Sequence, residues 1–189
     1  MRGAQRHRAP SLQHPAWNNA MAFTIENPEA KGKYSIDYTV GHGAVNLRED
    51  VMLAQICLNI TYFERKDGYA DRYVTSREQN KLEPLVEDGY CGPLTIARIY
   101  QFQNDLAKKG GAMGPIPVSI DGKFDVSPEP GVVHMGTRKR VYSFDNMQYV
   151  LAEHAEDDAK AHYDSLRITA PAPLAGALAH RRRYARRFK

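Results

Sequence analysis

The chain has 189 residues, 42% hydrophobic and 25% charged, the composition of a soluble globular protein with room for one domain plus extensions or two small ones. No run approaches eighteen apolar residues, so the sequence contains no candidate membrane-spanning helix. The net charge of +4 conceals a split: residues 1–20 hold three arginines and no acid, and residues 181–189 hold six basic residues and no acid. Taking those nine from 26 basic residues leaves 17 against 22 acidic ones, a net of −5 for a mildly acidic body between two basic ends.

In chain order, residues 1–20 are basic, contain histidine and lack the apolar central region of a secretory signal. They read either as a disordered arm or as an extension upstream of a start at Met21, and the division sets residues 1–32 aside as an N-terminal arm. Residues 33–40, K-Y-S-I-D-Y-T-V, alternate aromatic or β-branched with polar residues and predict a short strand. Asn46, with Glu49 three positions on, predicts a capping box for a helix whose apolar face is Val51, Leu53, Ala54, Leu58 and Phe63. Residues 64–86 are polar, with an Asp67-Gly68 turn, and read as a solvated loop in which Tyr69, Arg72 and Tyr73 could decorate a binding face. Of the two cysteines, Cys57 falls on the first helix and Cys91 in the turn after that loop. They predict two partly buried free thiols, or a single bridge if the helices pack together, but no disulfide framework and no zinc spacing.

Residues 87–103, E-D-G-Y-C-G-P-L-T-I-A-R-I-Y-Q-F-Q, predict a tight turn feeding directly into a helix. Asp88-Gly89 supplies turn chemistry, Gly92 permits a second bend, and Pro93 suits a first helical turn. Leu94, Ala97, Ile99, Phe102 and Leu106 recur at three- and four-residue steps and predict the apolar face. Thr95, Arg98, Gln101 and Asn104 fall opposite. This string resembles the D-G-x-x-G-x-x-T-x-x-A-(I/V)-x-x-F-Q pattern of the peptidoglycan-binding-domain-like family, with Asp88, Gly89, Gly92, Thr95, Ile99, Phe102 and Gln103 in register and Arg98 where the family usually has alanine. Upstream, Asp50-Val51 with Gln55 and Leu58 resembles the family's first helix. Downstream, residues 120–124, I-D-G-K-F, resemble its second D-G turn, with Asp121 and Gly122. The resemblance covers roughly residues 40–126 and implies a mainly α fold: a small helical peptidoglycan-binding-like module with short extended segments, over residues 33–127.

Beyond it, residues 108–117 are rich in Gly and Pro and predict a loop, and residues 127–131, S-P-E-P-G, mark a module boundary. Residues 138–144 predict a short strand. Asp145 then caps a helix through about Leu166, packed by Met147, Val150, Leu151, Ala155 and Tyr163, within a helical extension over residues 128–168. Residues 169–189 read as an Ala/Pro linker and a basic tail in which Tyr184 and Phe188 interleave with arginines, a composition that attracts anionic polymers.

The sequence contains no H-E-x-x-H, G-x-S-x-G, phosphate loop or cysteine with an obvious histidine partner, so no enzyme activity and no cofactor is expected. His154, Asp158 and His162 recur at four-residue steps, which would place them on one face of a continuous helix, more simply a wet acidic face than a metal site. The resemblance implies non-catalytic binding of bacterial cell-wall peptidoglycan, through its glycan strand or stem peptide, as an anchoring or targeting module beside a partner hydrolase, phage or secretion apparatus. A periplasmic or extracellular location follows from the resemblance. Tyr90, Arg98, Gln101 and Asn104 are the candidate ligand contacts: an aromatic for a sugar face, amides for hydrogen bonds and a guanidinium for a carboxylate. Asp88, Gly89, Gly92, Thr95, Phe102, Gln103, Asp121 and Gly122 are read as structural. The alternative is an interaction protein that reuses the fold to bind a protein or nucleic acid.

Overall fold

The computed structural model describes residues 21–65, 83–108, 115–132, 141–155 and 157–182. They form a mainly α-helical body: strands β1 (Phe23–Ile25), β2 (Tyr34–Ser35) and β3 (Val40–Gly41), helix α1 (Arg48–Asn59) running into a π-helical turn (Ile60–Glu64), then α2 (Pro93–Lys108), β4 (Lys123–Phe124), α3 (Ser143–Glu153), α4 (Asp157–Thr169), α5 (Ala172–Leu178) and β5 (Arg181–Arg182). No helix among the described residues is long and apolar enough to cross a membrane.

Helix α1 is the centre. Every residue from Asp50 to Asn59 is buried, so it is enclosed on all sides rather than lying across a surface. Val51, Leu53, Ile56 and Leu58 meet one continuous core that also takes Ile99 and Phe102 of α2, Phe124 of β4, Met147 and Leu151 of α3, Tyr163 and Leu166 of α4, and Leu174 and Leu178 of α5. Phe124 bridges two parts of that core, its ring against both Phe102 and Phe144.

Several sequence expectations change here. Residues 21–32 are not a free arm: β1 is the middle strand of a sheet ordered β2-β1-β5, antiparallel to β2 (Phe23 opposite Ser35) and parallel to β5 (Thr24 opposite Arg181). Residues 169–182 are neither linker nor tail, because Leu174, Ala177 and Leu178 are apolar enough to drive α5 into the core. Arg182 then forms a two-pronged pair with Asp37 at 2.5 and 3.0 Å and lies over the Phe23 ring. The break at residues 127–131 is no module boundary: the Gly131 carbonyl accepts the Lys31 N–H and the Gly131 N–H is donated to Asp145. That bond, not capping, is the role of Asp145, since α3 begins at Ser143. Asn46 does not cap α1 either; it takes the left-handed conformation (φ 56°) and its amide closes the residue 41–46 turn, bonding both the N–H and the carbonyl of Gly41.

Residues 33–40 divide between β2 and β3, and β3 pairs antiparallel with β4. Of residues 138–144, Val141 makes an isolated bridge and 143–144 open α3. The long helix expected through Leu166 ends at Glu153, and a second helix starts at Asp157, so His154 and His162 do not share a continuous face. His162 pairs instead with Glu64 at 2.8 Å. The 1–20 arm, the Asp67-Gly68 turn with Tyr69, Arg72 and Tyr73, and the tail with Tyr184 and Phe188 lie outside the described residues.

Candidate functional site

The two D-G turns are held by one device used twice. Gln55, on α1, turns its amide onto the first: its Oε1 accepts the Gly89 N–H at 2.9 Å, and its Nε2 donates to Asp88 Oδ1 (3.2 Å), the Tyr90 carbonyl (3.1 Å) and Thr95 Oγ1 (3.3 Å). Gln103, on α2, does the same to the second. Its Oε1 accepts the N–H groups of Asp121 (3.0 Å) and Gly122 (2.9 Å), and its Nε2 donates to Asp121 Oδ1 (3.1 Å) and the Lys123 carbonyl (2.7 Å). In both turns the aspartate also accepts the N–H two residues on, from Tyr90 and Lys123. A buried primary amide can accept and donate at once, which no apolar or charged side chain of that size does.

Glycine is required at both turns. Gly89 and Gly122 have φ of 75° and 70°, and a Cβ would stand 2.5 Å from Arg48 Cγ at the first and from the Tyr100 ring at the second. Asp88 is fully exposed, yet the Tyr90 N–H and then the Gln55 amide hold its carboxyl below the ordinary range. One turn further along α1, Asn59 ties down the preceding chain: it accepts the Leu85 N–H at 2.8 Å and donates to the Leu85 carbonyl and to Glu87, each at 2.9 Å. Gln55 and Asn59, four residues apart, therefore hold residues 85–90 from one helix face.

These clasps rotate α2 away from its expected orientation. Thr95, Arg98, Ile99, Phe102, Gln103 and Leu106 face inward, whereas Leu94 is 78% exposed and Ala97 is exposed. The reason is the turn geometry: Thr95 and Gln103 must reach the clasped loops, and that requirement outweighs the burial of one leucine and one alanine.

Alongside the first turn lies a groove of about 510 Å³, lined by Gln55, residues 83–86, Asp88, Tyr90, residues 92–95 and Arg98. Of the predicted contacts, Tyr90 and Arg98 meet here, Tyr90 72% exposed and Arg98 only 6%. Gln101 and Asn104 lie outside the lining, and the Asn104 amide donates back to the Tyr100 carbonyl of its own helix. Arg98 was expected on an open surface and is instead a buried cation. Its Nη2 donates to the Glu83 carbonyl at 2.9 Å, and the guanidinium lies over the Tyr62 and Phe63 rings at about 5.5 Å. Its Nη1 is buried without a hydrogen-bond partner, a condition that costs about 1–3 kcal/mol. Burial draws its pKa below the ordinary arginine value.

Sequence reasoning missed the rest of the lining. Val86 (74% exposed) and Leu94 form apolar lips, and Pro84 and Pro93 stiffen them. The exposure of Leu94 depends on helix phase, for which the sequence carried no signal. The cysteines are both free: Cys57 is fully buried, its thiol pushed up to about 12 by burial, and Cys91 is partly buried in the first turn. Among the described residues no three His, Cys, Asp or Glu side chains come together as a metal site. No family model matches the chain, and neither a curated protein nor a solved structure was found to match it.

Proposed function

We propose that this chain is a non-catalytic module that binds bacterial cell-wall peptidoglycan and anchors or targets whatever carries it, using the groove beside the first D-G turn. The observation that carries this reading is that one groove is lined both by an exposed Tyr90, in a turn that a buried glutamine holds, and by a partly unsatisfied Arg98 on α2. Preorganisation of that kind lowers the ordering cost of taking a polar polymer from water. The motif resemblance over roughly residues 40–126 supports the same ligand class. Each D-G turn closes onto a helix through a glutamine, Gln55 or Gln103, and both glutamines stand at positions of the quoted motifs.

The test is a pull-down of the full chain on purified sacculi, with turbidity followed in the same tube. A salt series up to about 0.5 M screens the basic ends, since exposed charges more than a few ångströms apart lose most of their attraction there. The expected result is retention that survives salt, without clearing. Retention that vanishes with salt assigns binding to charge alone, and clearing requires a hydrolytic site.

A further inference from the structure

We propose that the groove recognises the terminal carboxylate of a stem peptide, with Arg98 as the recognising group, and not the glycan strand. This rests on the wall-binding reading and names the part of the polymer that is held. Arg98 is more than nine-tenths buried, lines the groove, and has one guanidinium nitrogen without a partner and the other on a single neutral carbonyl. Nη1 is itself buried, so a carboxylate would engage both nitrogens as a parallel fork only by displacing the Glu83 carbonyl and moving residues 83–84 aside, replacing one neutral hydrogen bond by two charge-assisted ones. Arginine presents this planar fork, and the Tyr62 and Phe63 rings behind it hold its plane.

The walls select what is attached to the carboxylate. Val86, Leu94, Pro84 and Pro93 are apolar and would pack the methyl of a small terminal residue, while offering a sugar's hydroxyl groups few partners. Tyr90 closes one side. Glu83 and Asp88 also line the groove and disfavour a polyanion such as a polyphosphate or nucleic-acid backbone more strongly than a ligand with a single anionic end. A free peptide terminus meets all three conditions. Wall stem peptides end in D-residues and protein chains in L-residues, so chirality separates the two sources of the same chemistry.

The experiment titrates the full chain calorimetrically with N-acetyl-D-alanyl-D-alanine, its C-terminal carboxamide and the L,L acid. In parallel it compares pull-down on intact sacculi with pull-down on glycan stripped of its peptides. The D,D acid is expected to bind, the carboxamide at least about tenfold more weakly, and stripped glycan to lose retention. Arg98→Lys keeps the charge without the fork and is expected to lose most of the acid-over-amide preference. Because Arg98 is buried, Leu94→Asp serves as a second variant: at an exposed position it places an anion on the lip and is expected to weaken the acid while leaving the melting temperature unchanged. Equal binding of acid and carboxamide, or undiminished retention on stripped glycan, overturns the proposal while wall binding stands. Equal binding of the L,L acid overturns the stem-peptide assignment. Peptide binding with no retention on any sacculus overturns the wall reading, and the stem-peptide source with it, while carboxylate recognition by the groove stands.

Discussion

The two D-G turns share a glutamine clasp, an aspartate that folds onto its own backbone and a left-handed glycine, and among the described residues the groove lies beside the first. The second turn is closed over: the Tyr100 ring packs on Gly122, and residue 123 enters the β3–β4 pairing. The first has no strand beyond it. Residues 90–92 pass straight into α2, and among the described residues the groove lies between that turn and residues 83–86, with Arg98 in its lining. The same local chemistry thus serves as a fastening in one place and as the frame of a site in the other. What differs is the element that follows the turn.

The comparison is broken most severely by removing the clasps themselves. Gln103→Ala and Gln55→Ala each strip partners from several backbone groups at once, and each is expected to cost about 2–4 kcal/mol of stability in urea denaturation. A near-zero loss at either position would mean that the turns hold their shape without the amide. Next in size, Tyr90→Ala is expected to reduce sacculus binding about tenfold with stability within about 0.5 kcal/mol of the parent, because the ring is largely exposed. Asn104→Ala, beside the closed turn, is expected to change neither. If Asn104→Ala weakened binding as much as Tyr90→Ala, the open and closed turns would have exchanged roles.

A pH effect sharpens how the α1 end of this frame is held. Asp50 is fully buried and accepts the N–H groups of Asp37 and Tyr38 at 3.1 and 2.9 Å. Burial outweighs those bonds and raises its pKa to about 7. A raised folded-state pKa means that the folded protein keeps the proton while the unfolded chain releases it from about pH 4 upward. The contribution of Asp50 is therefore full below about pH 4, declines as pH rises, and is lost above about 7. Asp50→Asn should remove that decline, so the difference in urea midpoint between parent and variant should change steadily from pH 4 to 7 and be flat above. The smallest effect is a labelling rate. Cys91 in the open turn should react with a thiol reagent in the native protein, and Cys57 only after unfolding. Native labelling of both at equal rates would show that the core opens as readily as the turn.

Local chemistry was legible from the chain alone. Asp-Gly pairs, a proline at the start of α2 and an apolar period in α1 each act over a few residues, and Asp88-Gly89, Pro93 and Asp121-Gly122 take the local roles they were read for. Gln103 was legible as structural, but which turn it closes was not. The phase of α2 was not legible. Thr95 and Arg98 read as outward because they are polar, and they face inward because Gln55 and the Glu83 carbonyl wait for them there. Nor could composition show that residues 21–32 and 169–182 complete the body. Each of β1, β5 and α5 is too short to be stable alone, and each forms only because a distant part of the chain covers it. The sequence by itself determined the turns, the start of α2 and the list of polar side chains able to clasp them. The tertiary structure alone decided which turn lies beside the groove and what lines it, since a guanidinium nitrogen left without a partner is a property of the side chains packed around it and not of the arginine.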